Sequence, residues 1–314
     1  RETYDLGFQG TYRGMFPLLR FGAAADTHHP GDPEKQWNGA SALLGIEAPV
    51  DLSRGTRRRL FTFSTTGFVR WEEARPGEIG DTADTAFPLR HTASWYGAST
   101  AVAPVDFAPP WEQYLELMWI HEPFESGTGD EAENGRVVSN LLFTFPGPFR
   151  RHRLHLIGEG EWKYGEEVPL EYPIVRPRGV PFDWNDDYEA DVVAGVEYAF
   201  PLFYPDLSMG NLYYLKRIRA SIFTEVGFGF PMDGADGLAA AASSNGGEEA
   251  ASPVAEWSET VGADLHPVTG AELLFEQHLF SLPIALEAGL RIVYRWRDET
   301  FRLEDTVLTL GVEW

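Results

Sequence analysis

Apolar and polar side chains alternate with a period of two along three long segments of the chain, 188–202, 212–230 and 282–296. Successive side chains of a β-strand point to opposite faces, so this pattern predicts strands with one apolar and one charged face. No helical period competes with it in these segments. The apolar faces carry Val192, Val196, Ile218, Ile222, Val226, Leu286, Leu290 and Ile292.

The length of the alternation favours a membrane barrel over a soluble β-sandwich. Strands of about five or six residues are sufficient in a sandwich. Here the alternation lasts for roughly fifteen residues, whereas roughly ten cross a bilayer at a tilt. The apolar faces also end in aromatic residues such as Tyr198, Phe230 and Trp296, as in interfacial girdles. The predicted fold class is all-β, a transmembrane antiparallel β-barrel whose apolar face contacts lipid.

Weaker alternation predicts ten further strands, which gives about thirteen in all. These strands are Tyr4–Arg13, Phe16–Asp26, Ala40–Val50, Arg58–Trp71, His91–Ala103, Trp111–Glu122, Arg136–Phe145, His152–Tyr164, Trp257–Leu265 and Val307–Trp314. Bacterial barrels usually have an even number of strands. We therefore expect fourteen in the complete barrel, or twelve if one strand has been divided in two. Residues 1–314 are interpreted as a single barrel domain.

The lengths of the connections predict an orientation. Short connections lie near Gly14 and at 51–56, 104–110, 146–151 and 204–210, and long polar ones at 27–39, 72–90, 123–134, 165–186 and 231–256. Outer-membrane barrels have short periplasmic turns and long extracellular loops. The long loops are therefore expected outside the cell and the carboxyl terminus in the periplasm. The first strand would then start outside, which predicts a further strand or domain upstream of Arg1.

The end of the chain has the form of a closing strand. Leu308, Leu310, Val312 and Trp314 are spaced by two and share one predicted face. Bacterial outer-membrane barrels typically end on such an aromatic residue, and the barrel assembly machinery reads this final strand. A soluble amphipathic strand has the same form, so this feature is interpreted together with the others.

Composition excludes several classes of protein. The net charge is −23 and the pI is about 4.6, which argues against a nucleic-acid partner because phosphate binding needs basic surfaces. There is no cysteine, so disulfide scaffolds and thiolate metal sites are excluded. No apolar run approaches the roughly twenty residues of a membrane-spanning helix.

The charged faces of the three long strands predict a lumen that holds both signs of charge. Its predicted members are Glu189, Asp191, Glu197, Arg217, Arg219, Glu225, Glu287, Arg291 and Arg295. If a tight turn joins the first two strands, Glu197 is expected opposite Arg217 or Arg219. Two interpretations follow: a selective polar channel, or a network of salt bridges that holds the wall rigid and passes little.

Other candidate sites carry weaker signals. Acidic loop residues could share divalent cations with lipopolysaccharide, and Asp183, Asp186 and Asp187 slightly resemble the start of a calcium loop, without its glycine and distal glutamate. His28 and His29 form a possible metal pair. Glu112, Glu116, Glu122 and His121 suggest an acid/base cluster, but no hydrolase or nucleotide-binding motif occurs. No cofactor and no enzymatic activity are predicted.

Three stretches of the chain carry a resemblance to a known family. They are Pro177-Arg178-Gly179 through Asp187, Val196–Asp206 and Leu212–Arg219. Together they resemble the carboxyl-terminal outer-membrane barrels of TolB-like propeller–barrel proteins from Bacteroidota-type bacteria, which are distantly similar to surface-antigen and outer-membrane assembly barrels. The resemblance covers about residues 150–314 and implies a barrel in the outer membrane of a Gram-negative bacterium. No propeller sequence is present, so no propeller function is implied.

These features predict a membrane anchor or structural component of a larger envelope protein or complex. Its expected partners are outer-membrane lipid, lipopolysaccharide, the assembly machinery and envelope proteins. A pore for solutes or proteins is the first alternative, favoured by the charged lumen. A hydrolase at the barrel rim is the second.

Overall fold

The computed structural model describes residues 2–29, 37–74, 84–99, 109–121, 135–164, 175–180, 188–210, 212–231, 263–279 and 284–312. These residues form fifteen strands: β1 (Glu2–Tyr12), β2 (Leu18–His29), β3 (Trp37–Asp51), β4 (Arg57–Ala74), β5 (Asp84–Ala86), β6 (Leu89–Ser99), β7 (Glu112–His121), β8 (Gly135–Pro146), β9 (Arg153–Tyr164), β10 (Tyr188–Phe203), β11 (Leu207–Met209), β12 (Tyr213–Pro231), β13 (Asp264–Leu279), β14 (Ile284–Arg295) and β15 (Thr300–Val312). Within the described ranges no helix is long and apolar enough to cross a membrane.

All fifteen strands belong to one antiparallel sheet. Thirteen of them follow one another in chain order, from β1 to β15, as a continuous meander. The two three-residue strands lie off this path, where β5 pairs with β4 and β11 pairs with β12. The predicted all-β antiparallel class is therefore confirmed, and the thirteen strands of the meander match the predicted number.

The strands of the meander are long. They range from the ten residues of β7 to the nineteen of β12, whereas strands in globular proteins average about five or six residues. The long alternation accounts for this length, because it keeps one face of each strand largely apolar. The opposite face carries mainly polar and charged side chains, with a few buried apolar ones such as Val193 and Phe223.

One strand lies elsewhere than predicted. The sequence pattern indicated a strand at Trp257–Leu265, but β13 runs from Asp264 to Leu279. Val268 and Leu274 occupy the otherwise charged inner face of β13 and blur its period of two. The last strand also begins earlier than predicted, at Thr300. Strands β5 and β11 were not predicted, since three residues are too few to show a period.

The sheet has two edges among the described residues. β1 is paired with β2 alone, and β15 with β14 alone, so the sheet is not closed into a barrel. Because the meander contains an odd number of strands, β1 and β15 run in the same direction. An additional strand that ran antiparallel to both could pair with each of them.

Candidate functional site

The two faces of the sheet differ sharply in burial. Along β10, Asp191 and Val193 are 0% and 2% exposed, whereas Val192 and Val196 are 41% and 47% exposed. We call the face that carries the buried residues the inner face and the opposite face the outer face. The inner face of the neighbouring strands carries further buried charges, among them Arg136, Glu161, Lys163, Arg217, Glu225, Glu272 and Glu276.

The outer face is apolar and exposed. In the middle of β12, Ile222 is 54% exposed while its neighbour Phe223 is 1% exposed. Among the residues predicted to contact lipid, Val192, Val196, Ile222, Leu290 and Ile292 are exposed and Ile218, Val226 and Leu286 are half-buried. Proteins in water bury their large apolar side chains and keep unpaired charges at the surface. In this sheet, large apolar side chains are exposed on the outer face and charged side chains are buried on the inner face.

Ion pairs link the inner faces of adjacent strands and, in the case of Arg219 and Glu287, reach across β13 from β12 to β14. Arg219 Nη2 lies 2.8 Å from Glu287 Oε2, and Arg217 Nε donates to Glu276 Oε2 over 2.8 Å. Arg291 pairs with Glu272 on the neighbouring strand. Further pairs join Arg136 to Glu161 at 3.0 Å, Lys163 to Asp191 at 3.4 Å and Lys216 to Glu276 at 2.7 Å. Buried charges are tolerated when they are paired in this way.

Glu197 does not lie opposite Arg217 or Arg219, so that predicted pairing is wrong. The register of β10 and β12 places Glu197 opposite Phe223 and Pro201 opposite Arg219. The predicted tight turn is replaced by a longer connection that contains β11, and a register shift follows Pro201. These two features move the arginines away from the carboxylate.

Glu189 also differs from its predicted position. The register between β10 and β12 shifts between Tyr188 and Ala190, so Tyr188 is buried and Glu189 is exposed. Trp162, an exposed residue of β9, donates from Nε1 to Glu189 Oε1 over 3.3 Å. Glu189 therefore lies outside the inner-face network. Arg295 lies near the end of β14 and pairs with Asp298 of the following turn at 2.7 Å.

Arg178 is the centre of the inner-face network. It belongs to the segment 175–180, which lies between β9 and β10 and packs against the inner face. Its guanidinium contacts three carboxylates on three successive strands: Glu197 at 2.7 Å, Glu225 at 2.6 Å and Glu272 at 3.3 Å. Its backbone N–H donates to Glu225 Oε2 over 2.8 Å.

The charge balance around Arg178 favours its cationic form. Burial lowers the pKa of the guanidinium, but the carboxylates of Glu197 and Glu225 outweigh this effect and hold its pKa above the usual value. The guanidinium also lies 4.1 Å from the centre of the Phe223 ring, at cation–π distance. One cation therefore neutralises part of a cluster of three carboxylates and joins β10, β12 and β13.

Two glycines allow the segment 175–180 to dock closely. Gly179 has a φ of +77°, and a Cβ there would lie 2.7 Å from Cγ1 of Val293 on β14. A Cβ at Gly195 would lie 2.8 Å from Cγ of Glu225, so this position must stay empty for Glu225 to reach Arg178. Val175 and Val180 complete an apolar cluster with Val193, Phe223 and Val293.

A second feature of the inner face lies on β2 to β7. A cavity of about 400 Å³, which we call the polar cavity, is lined by Arg20, Glu47, Arg90, Glu116, four hydroxyl side chains and Met118. Unlike the inner face of β10 to β14, this region is covered by no described segment. Among the described residues, segment 175–180 therefore packs on the inner face of β10 to β14, and the polar cavity lies on that of β2 to β7.

The acid/base cluster suggested by the sequence is not assembled among its described members, and Glu122 lies outside the described residues. Glu116 lies on the inner face, where it accepts hydrogen bonds from Tyr114 Oη at 2.8 Å and Asn140 Nδ2 at 3.0 Å. His121 lies on the same face as exposed Trp119, two residues away, and its ring stacks on that of Trp119 at 4.1 Å. The two side chains are on opposite faces of the sheet.

Several other predicted sites have no described side chains. Asp183, Asp186, Asp187, Trp314 and the acidic clusters of the long loops lie outside the described residues. The backbone register of β15 pairs Leu308, Leu310 and Val312 with Ala288, Leu286 and Ile284. Within the described ranges, no group of three or more histidine or carboxylate side chains is placed to hold a metal ion.

Some members of the network were missed in the sequence. Glu272 and Glu276 fall in the part of β13 that was not predicted as a strand. Arg178 entered only as part of a quoted motif, because a contact between a connecting segment and three strands leaves no local period. Arg136, Glu161 and Lys163 do alternate with apolar residues on β8 and β9, and this signal could have identified them.

The sheet and its two faces define an all-β protein with a charged inner face and an apolar outer face. No family model matches the chain, and no curated protein matches it.

Proposed function

We propose that the chain is the membrane-spanning part of an outer-membrane β-barrel protein, and that it serves as an anchor or structural component of a larger envelope protein or complex. The observation that carries this proposal is the exposed apolar outer face, exemplified by Ile222, Leu290 and Ile292, opposite an inner face of paired charges. A bilayer solvates such an outer face, whereas water does not.

The open edges of the sheet support a closed barrel in the complete protein. Unpaired strand edges are unfavourable in lipid, because no water satisfies their N–H and C=O groups. If every pair of strands is antiparallel, closure of a meander of thirteen strands takes an odd number of additional strands. We infer that one further strand lies between β1 and β15, which gives the predicted fourteen.

The orientation and the partners follow from the same proposal. Strands β2, β4, β7, β9 and β12, which long connections follow in the sequence, all run towards the same edge of the antiparallel meander, and we assign this end to the cell exterior. There the acidic loops would meet lipopolysaccharide and share divalent cations with it. The carboxyl terminus would be periplasmic, where the assembly machinery recognises the final strand.

The Arg178 network favours an anchor over an open pore. Segment 175–180 contacts inner-face residues of four strands, β10, β12, β13 and β14, and its ion pairs are short. Paired charges and packed apolar residues occupy the inner face in this half, and such a filled interior supports an anchor. The second candidate function, a solute pore, is favoured by the polar cavity of the other half.

Single-channel recording in planar bilayers separates the two functions. We expect the full-length protein to insert and to show no steady open current, because the inner face is occupied over β10 to β14. A variant in which Arg178 is replaced by methionine serves as the comparison, since loss of its ion pairs should release segment 175–180 and produce frequent current steps. Steady large currents from the unmodified protein would contradict the anchor and support the pore.

A further inference from the structure

The polar cavity is built from three adjacent rows of inner-face residues. In the first row the register runs from Arg20 through Gly45 and Thr66 to Arg90. The next two rows contribute Glu47, Ser64 and Thr92, and then Thr62, Ser94 and Glu116. Charged residues therefore flank the cavity and small hydroxyl side chains form its floor.

The cavity exists because two short residues, Gly45 and Thr66, lie between the two arginines in the first row. Adjacent strands are about 4.8 Å apart, so the Cα atoms of Arg20 and Arg90 are separated by roughly 14 Å across three strand spacings. Gly45 has no side chain, and a Cβ there would lie 2.5 Å from Thr66 Oγ1. The long side chains of Arg20 and Arg90 thus stand at opposite sides of a shallow polar floor.

The charged side chains around the cavity differ in whether they have a hydrogen-bond or ion-pair partner. Arg20 Nη1 lies 3.3 Å from Glu47 Oε2, and both oxygens of Glu116 accept hydrogen bonds, from Tyr114 and Asn140. Arg90 packs its guanidinium 4.6 Å from the centre of the Phe68 ring. Among the residues that the structure describes, none accepts a hydrogen bond from Arg90 or lies within ion-pair distance of it.

We propose that the polar cavity binds a small hydroxylated carboxylate of the sugar-acid class. Arg90 supplies the N–H donors that a carboxylate accepts in a paired geometry. The side chains of Thr62, Ser64, Thr92 and Ser94 both donate and accept, which suits the hydroxyls of a monosaccharide. The cavity volume of about 400 Å³ lies within the range of small-molecule sites, roughly 300–1,000 Å³.

The proposal concerns the half of the inner face that the Arg178 network leaves uncovered. It rests on the proposed barrel, because only an enclosed inner face would hold a solute away from bulk water. It does not require an open pore, since a solute could bind from one end of the lumen.

Isothermal titration of the folded full-length protein in detergent tests this inference, with glucuronate as the probe and glucose as its uncharged counterpart. We expect glucuronate to bind and glucose to bind at least about tenfold more weakly, since a hydrogen bond to a charged group is worth about that factor or more. Arg90→Gln should lower the affinity for glucuronate by a similar factor. Glu116→Gln should raise it several-fold, because the negative charge of Glu116 acts on Arg90.

Matched variants keep the test independent of folding. Arg58→Gln removes the same charge from an exposed arginine that packs on Tyr96 outside the cavity, and should leave glucuronate binding unchanged. Arg90→Lys retains the charge and should bind with intermediate affinity. Heat-modifiable migration on a gel, a property of folded barrels, monitors folding in each variant.

Two results would overturn the inference. One is a folded protein that fails to bind glucuronate, and the other is binding that is equal for glucuronate and glucose or unaffected by Arg90→Gln. Neither would affect the proposed barrel, which predicts insertion into bilayers irrespective of solute binding. A protein that stays folded and dispersed without detergent would contradict the barrel itself.

Discussion

Replacing Arg178 with methionine is expected to destabilise the folded protein by about 3 kcal/mol. The substitution keeps most of the volume of the side chain but leaves Glu197, Glu225 and Glu272 without their shared cation. Removal of one partner from a buried ion pair typically costs about 3–5 kcal/mol, because the remaining charge stays uncompensated. Arg178 is partly exposed, so the lower end of this range applies.

Urea unfolding in lipid vesicles, followed by tryptophan fluorescence, measures this effect. Arg58→Met is the matched control, and its stability should lie within about 0.5 kcal/mol of the unmodified protein, as for most surface substitutions. Glu225→Gln should partly rescue Arg178→Met, because it removes one of the unpaired charges. If the destabilisation of the double variant equals the sum of the two single effects, Arg178 and Glu225 do not interact, and the contact between them is contradicted.

Replacing Ile222 with arginine is expected to cost about 2–4 kcal/mol when the protein folds into a bilayer. Ile222 is at the centre of the nineteen-residue strand β12 and is exposed on the outer face. An arginine on the lipid face at the bilayer midplane of a barrel has a penalty of this size, which falls to about 0–1 kcal/mol near the interfaces. The same substitution at an exposed site in water would be nearly neutral.

Met209→Arg is the control for this prediction. Met209 is also exposed, but it lies in β11, within the short connection between β10 and β12 that we assign to the periplasmic side. Its replacement should change the folding free energy by less than about 1 kcal/mol. Equal effects at the two positions, or no effect at Ile222, would show that the outer face does not contact hydrocarbon.

The faces of the long strands were predictable from the sequence because they depend on local alternation alone. Val192, Ile222 and Leu290 fall on one face of their strands wherever the neighbouring strands lie. The pairs across strands were not predictable, since they depend on register, and register depends on turns and bulges. The connection through β11 and the shifts near Tyr188 and Pro201 displaced Glu189 and the predicted partner of Glu197.

The two candidate sites could not be predicted from the sequence either, because each depends on contacts between residues far apart in the chain. Arg178 reaches Glu272, which is 94 residues away in the chain, through a segment that has no periodic pattern. The polar cavity requires five strands to be in register, and its serine and threonine residues look like ordinary strand residues in the sequence. Closure of the sheet stays a prediction, because β1 and β15 each have one unpaired edge among the described residues.

The absence of cysteine makes the central claim directly measurable. Single cysteines at Val196, Ile222 and Leu290, each carrying a nitroxide spin label in reconstituted protein, report whether these side chains meet lipid or water. The barrel predicts that the three labels collide readily with dissolved oxygen and rarely with a water-soluble nickel chelate, while a label at Met209 shows the reverse. The barrel would be contradicted if the labels at all four positions collided freely with the nickel chelate.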